Sequence, residues 1–173
     1  MRAVKGLTKN SIQAGDVIVL CGRGPMGSGM EEVAQITLAL KHLSWGKQVA
    51  LLTDARFSGV STGACIGHIG PEALAGGPIG KIREGDIIEI KINRRKLIGT
   101  INFIGQAGKI ITPNEGKAVL DQRSAPSELQ ADPRLPEDTR LWAALQNVGG
   151  GTWGGCVYDT DQIIDILEKN SVR

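Results

Sequence analysis

Glycine constrains this chain more than any other residue. It fills 24 of 173 positions, nearly twice the usual share of about 7%. The glycines gather at Gly22–Gly29, Gly59–Gly80 and Gly149–Gly155 and form no low-complexity tract. Clustered glycine marks tight turns and close approach of backbone, so any fold must bring backbone together at three places, and function is sought there. A chain of this length can bury the core of one ordinary domain. Its apolar content of 41% and charged content of 22% are those of a soluble globular protein.

Several partner classes fall away early. A net charge of +2 with 3% aromatic residues offers neither a basic footprint nor a stacking platform, so no nucleic acid is expected. No apolar run approaches the roughly 20 residues of a membrane helix, and no signal-peptide core opens the sequence. Cys21, Cys65 and Cys156 are odd in number, scattered and without a CxxC pair. That excludes a disulfide framework and a self-contained zinc or iron–sulfur site, and it fits a reducing cytoplasm. Each cysteine is read as a small buried side chain.

The segment "IQAGDVIVL" (Ile12–Leu20) predicts a Gly15-Asp16 turn feeding a strand, and "IREGDIIEI" (Ile82–Ile90) repeats the pattern. A barrel-like sheet commonly reuses such a unit. Between them, "MEEVAQITLALKHLSW" places Val33, Ile36, Leu40 and Leu43 at helical spacing, with Glu31 and Glu32 in the expected first turn and Gly46 as the stop. "QVALLTD" reads as a buried strand, "GPEALAG" as at most a short helix from Pro71, and "KINRRKLIGTINFIG" as strands. Near Thr112 the character changes to the Pro-rich "SAPSELQADPRLPEDTR". A short helix is expected around Leu141–Leu145, and Asp159 with Gln162 makes a capping-box-like start for a last helix. The division expected is a main domain over 1–112 and an extension over 113–173.

Three motifs compete for function. "GRGPMG" (Gly22–Gly27) satisfies GxGxxG after a strand, with Asp54 ending the next strand, which is the dinucleotide-binding context. Pro25 stiffens that turn, and carboxylates at Glu31 and Glu32 repel a phosphate and suit a cation. "GVSTG" (Gly59–Gly63) fits the nucleophile-elbow pattern, but the only histidines, His42 and His68, leave none after residue 68 for a triad. The third reading joins Glu32 to Ser58. A strand–helix–strand return would bring both to one sheet edge, where the carboxylate is a hard oxygen ligand for Mg²⁺. A serine beside that cation and backbone amides would be acidified enough to act as a base. The same residues also fit a structural reading, Glu32 as a favourable helix-start charge and Ser58 as a turn residue.

"GPMGSGMEE" resembles the GxxGGPGMPE loop of the IlvD/Edd dehydratases, which act on dihydroxy acids and sugar acids. "TDARFSGVSTGACIGHIGPEALAGGPIGKIREGDIIEI" resembles their TDGRFSGGTxGxCxGHxxPEAxxGGPIAxxxDGDxIxI segment over its whole length without a gap. With the tail "LPEDTRLWAALQNVGGGTWGGCVYDTDQII", it is most similar within that family to bacterial D-xylonate dehydratases. The resemblance implies dehydration of a 2,3-dihydroxy acid to a 2-keto-3-deoxy acid. Ser58 then takes the C2 proton, Glu32 binds Mg²⁺, and Ser61 and Thr62 are candidates for substrate hydroxyls. An iron–sulfur cluster would act as Lewis acid on the departing 3-hydroxyl. Ala55 stands where the family has glycine, and Glu31 where it has proline.

The implied fold is α+β: a mixed, β-barrel-like domain of the β/β/α swivelling type flanked by helices, with a helical C-terminal extension. The family's N-terminal domain, which supplies the cluster cysteines and further Mg²⁺ ligands, matches nothing in this chain. The sequence therefore reads as an N-terminally incomplete C-terminal piece, inactive alone, needing an N-terminal dehydratase domain or chain as partner. An unpaired sheet edge and the Gly-rich tail lead to the expectation of a homo-oligomer. Two other readings stay open: a dihydroxy-acid dehydratase of branched-chain amino-acid synthesis, and a non-catalytic module that keeps the fold to bind a partner.

Overall fold

The computed structural model describes residues 12–170, and the outer ends of both expected domains lie outside them. The described residues form two compact units, 12–80 with 126–170, and 81–125. The boundary expected after residue 112 falls inside the second unit. The architecture is mixed α/β, with three sheets and five α-helices among the described residues.

The first unit is built on a parallel sheet of β1 (Val17–Leu20), β3 (Ala50–Thr53) and β5 (Ala64–Ile66), in the order β1-β3-β5. Leu51, Leu52 and Thr53 of the central strand are all buried, which is why this strand reads as an unbroken apolar run instead of an alternation. A second parallel pair joins β2 (Glu32–Val33) to β4 (Arg56–Phe57). Leu20, Val33, Leu51 and Ala55 make the core, with Ile18, Ile36 and Phe57 packed on it. Leu51 is 1% exposed, a burial that stabilises by about 1.5–3 kcal/mol. Ala55, the departure from the family's glycine, puts its methyl group into this core.

Helix α1 (Pro25–Ser28) starts on a proline and stops at Gly29 in the left-handed region at φ 68°. Met30 follows at φ 60°. Two successive left-handed residues reverse the chain, so α2 begins only at Gln35 and runs to Lys41. The helix expected from Glu31 is thus corrected: Glu32 lies on strand β2.

The tail belongs to the first unit. The Asp132 amide donates to the Gly27 carbonyl at 2.8 Å, and α4 (Glu137–Val148) packs on α1. The last helix, α5 (Thr160–Lys169), starts where Asp159 accepts a hydrogen bond from the Gln162 amide at 3.0 Å, as its sequence predicts. It buries none of its residues.

In the second unit, β6 (Asp86–Asn93) and β7 (Ile98–Gln106) form an antiparallel hairpin, extended by β8 (Lys109–Ile110). The Asn93 carboxamide caps the turn by accepting from the amides of Arg95 and Lys96. Helix α3 (Pro113–Gln122), which packs on β7, opens with a capping box between Thr112 and Glu115. Among the described residues no strands close into a barrel. Among them the parallel sheet has three strands, in the order β1-β3-β5, well short of the eight or so strands that enclose a packed interior.

Candidate active site

Strands β2 and β4 place the sequence-derived candidates side by side. Their parallel register sets Glu32 opposite Arg56 and Val33 opposite Phe57. The ladder then runs on, with the Ser58 amide donating to the Val33 carbonyl at 3.2 Å. A turn closed by the Ser61 amide on the Ser58 carbonyl (3.0 Å) brings the Ser61 hydroxyl back to the same Val33 carbonyl at 3.1 Å. One carbonyl, with two lone pairs, therefore gathers both serines next to Glu32. Thr62 follows on the exposed side of the turn.

Hydrogen bonding separates residues that look alike in sequence. Ser61 spends its proton on Val33, whereas the half-buried Ser58 hydroxyl has no partner among the described residues. Glu31 is held by Arg23 at 3.1 Å, while the exposed Glu32 carboxylate is without a partner there. Arg56 donates through Nε to the Met30 carbonyl at 3.0 Å, tying β4 to the turn that delivers Glu32. Between the two serines it is Ser58, and between the two glutamates Glu32, that is left unengaged among the described residues; the Thr62 hydroxyl makes no hydrogen bond there either.

The GxGxxG loop is occupied from within. Asp54, 0% exposed, accepts the Arg23 amide on Oδ1 (2.9 Å) and the amides of Gly22 (3.0 Å) and Ala73 (2.9 Å) on Oδ2. Glu72 accepts the Met26 amide at 2.9 and 3.1 Å. The amides a pyrophosphate would need are taken by the protein's own carboxylates, which removes the nucleotide reading on firmer ground than charge. Burial pushes the Glu72 carboxyl up, only partly opposed by the Met26 amide, and nearby Asp54 adds to the rise. A Cβ on Gly24 would lie 2.3 Å from Glu72 Oε2, so glycine is needed there for close approach. Sequence reasoning missed both acids as anchors. The signal was present as an acid at a strand end (Asp54) and another beside a glycine-flanked turn (Glu72), facing a loop too rich in glycine to fill its own space.

Metal fit follows from the donor set. Among the described residues no group of three His, Cys, Asp or Glu side chains could hold a metal ion. Glu32 offers one free carboxylate oxygen donor set, suited to a hard cation that completes its shell elsewhere. The cysteines do not fit a cluster: all three are free and half-buried. Burial raises the Cys21 and Cys65 thiols, against the thiolate that iron requires. His68, at φ 55°, is exposed and its amide donates to the Ala55 carbonyl.

The family described as dihydroxy-acid/6-phosphogluconate dehydratase C-terminal matches this chain over residues 1–125. The chain belongs to this family. D-xylonate dehydratase YagF of Escherichia coli (strain K12) is 59% identical over 166 residues, covering 96% of this chain and 25% of that protein. D-xylonate dehydratase YjhG of the same organism is 57% identical over 174 residues, covering 97% of this chain and 27% of that protein. A dihydroxy-acid dehydratase of Leifsonia xyli subsp. xyli (strain CTCB07) is 52% identical over 96 residues, covering 55% of this chain and 17% of that protein. The chain thus spans about a quarter of the length of the two D-xylonate dehydratases it matches. Within this dehydratase family it is a C-terminal domain, and no helix among its described residues is long and apolar enough to cross a membrane.

Proposed function

We propose that this chain is the C-terminal part of a hydro-lyase that dehydrates a sugar (aldonic) acid such as D-xylonate to the 2-keto-3-deoxy acid. The observation that carries the reading is the convergence of Ser58, Ser61 and Glu32 on the Val33 segment, with the Ser58 hydroxyl and Glu32 carboxylate unengaged among the described residues. Family membership supports the reaction class, and the names of the two Escherichia coli relatives support the substrate.

In this mechanism Ser58 removes the proton at C2, the 3-hydroxyl departs with a proton as water, and the resulting enol ketonises. A serine acting as base must first shed its own proton, which passes to solvent and is matched by the proton that leaves with the 3-hydroxyl, Ser58 ending protonated by the proton from C2. Ser61 has its proton on a carbonyl oxygen, which cannot take it, so it accepts or orients a substrate hydroxyl instead; exposed Thr62 has the same role. Glu32 would hold Mg²⁺, which when bound supplies positive charge against the substrate carboxylate and the enolate oxygen. The chain's cysteines do not suit an iron–sulfur cluster, and the further ligands would come from an N-terminal dehydratase domain or chain. Exposed apolar side chains at Trp153 and Val157 support association with such a partner or a second copy, in the cytoplasm.

In the full-length enzyme, Ser58→Ala should lower kcat on D-xylonate by about 10²–10⁴-fold and abolish deuterium exchange at C2. Retained exchange would move the base elsewhere. The dihydroxy-acid dehydratase relatives favour a second reading, a short branched 2,3-dihydroxy acid as substrate. A higher kcat/KM on that acid than on D-xylonate would select it. Failure to dehydrate either would leave only a partner-binding module.

A further inference from the structure

We infer that Asp54 and Glu72 are positioning residues that set Glu32 against Ser58 by filling the amides of the Gly22–Gly27 loop. The inference rests on the proposed roles of Glu32 and Ser58, and deepens them.

Asp54 stands between the two halves of the candidate site. Its own backbone leads through Ala55 and β4 to Ser58, while its carboxylate grips Gly22 and Arg23, at the start of the loop that ends in Glu32. The same carboxylate takes the Ala73 amide, next to Glu72, and Glu72 in turn takes Met26 inside α1. The loop is therefore held at both its beginning and its middle. From there the chain passes Gly29 and Met30 in the left-handed region and delivers Glu32. A shift at either anchor is carried through that rigid reversal to the Glu32 carboxylate.

The geometry demands carboxylates. All three partners of Asp54 are N–H donors divided between its two oxygens. An asparagine would set its own N–H₂ against at least one of them. Glu72 likewise takes the Met26 amide on both oxygens. Neither acid needs to touch substrate to act in this way.

The test uses the full-length enzyme with Mn²⁺ as the probe cation, followed by electron paramagnetic resonance, beside amide exchange of residues 22–29. Asp54→Asn and Glu72→Gln should speed exchange of the Gly22, Arg23 and Met26 amides. They should also weaken Mn²⁺ by about 10- to 100-fold, the usual cost of losing a residue that orients a metal ligand. Gly24→Ala is the milder second variant. Its backbone at φ −73° suits alanine, and the three atoms nearest its Cβ all belong to Glu72, so it should reproduce the Glu72→Gln result with both carboxylates kept. Parental Mn²⁺ affinity in variants whose loop amides exchange fast would overturn the positioning role, as would unchanged exchange in all three. A Glu32→Gln control separates the layers. If it leaves Mn²⁺ affinity intact, the reading of Glu32 falls; if it weakens Mn²⁺ while the anchor variants do not, only the anchors fall.

Discussion

Replacing Arg123 with methionine removes the cation from a nearly dry ion pair in the 81–125 unit. The Arg123 and Asp86 side chains are 8% and 2% exposed. The guanidinium is bidentate on Asp86, at 2.5 and 3.0 Å, and also donates to Gln106 Oε1 (2.6 Å) and the Lys81 carbonyl (3.3 Å). It lies 4.7 Å from the Phe103 ring centroid. Breaking a buried pair from one side costs about 3–5 kcal/mol, because the other charge is left without its partner. Asp86 keeps the Arg83 amide at 2.8 Å, so the lower end, about 3 kcal/mol, is the appropriate figure. At about 0.05–0.15 kcal/mol per residue, that is about two-fifths or more of what so small a unit can hold. The expected outcome is selective loosening of β6, β7 and α3. Amide exchange there should accelerate at least about a hundredfold, while β1 and β3 keep their protection. Asp86→Leu combined with Arg123→Met should recover much of the loss, since an apolar pair leaves no buried charge. Unchanged exchange in β6 and β7 of the single variant would refute the reasoning.

Thr112→Ala removes one half of the capping box on α3 and should cost about 1 kcal/mol, read as faster exchange of the first-turn amides from Glu115 on. Asp132 is held down to about 2 by hydrogen bonds from the Arg134 side chain and amide. Its contribution to stability is therefore present above the ordinary carboxyl value of 3.8 and lost as pH falls toward about 2. Arg134→Ala should return the Asp132 titration, followed by carboxyl NMR, toward that ordinary value. Purified anaerobically, the chain alone should carry no stoichiometric iron and should not dehydrate D-xylonate; iron at cluster stoichiometry would show that its cysteines do assemble.

The sequence made strands and turns legible where a single local rule decides them. Gly-Asp turns feed β1 and β6, and the apolar run of β3 is buried as it reads. Helix α3 was not expected, although Thr112, Pro113 and Glu115 form a start signal for it, because the segment reads with the Pro-rich connection that follows. Glu32 was misplaced on a helix because apolar spacing cannot report the left-handed reversal at Gly29 and Met30, and methionine gives no hint of it. Ser58 and Glu32 could be paired in sequence, and the resemblance put the base on Ser58; the hydrogen bonding that sets Ser61 apart from it could not be read there. That difference comes from the Ser61 hydroxyl reaching the Val33 carbonyl, a contact 28 residues away in the chain. The barrel expectation extended a repeated turn–strand unit to a closure that three parallel strands and a separate hairpin do not make.

The anchors of the glycine loop also set a clock. Asp54 receives amides 32, 31 and 19 residues away, and Glu72 receives one 46 residues away. Contacts of such separation form only after the intervening chain has paid its closure entropy. During synthesis at about 5–20 residues per second, the Met26 amide waits about 2–9 s for Glu72, 46 residues later, to be made. Until then the loop is a run of glycines with its amides open to water, and the segment bearing Glu32 has no fixed address. The loop that leads to Glu32 thus waits for partners made well after it: first for a glutamate that closes on a glycine leaving it room, and later for the Asp132 amide on the Gly27 carbonyl.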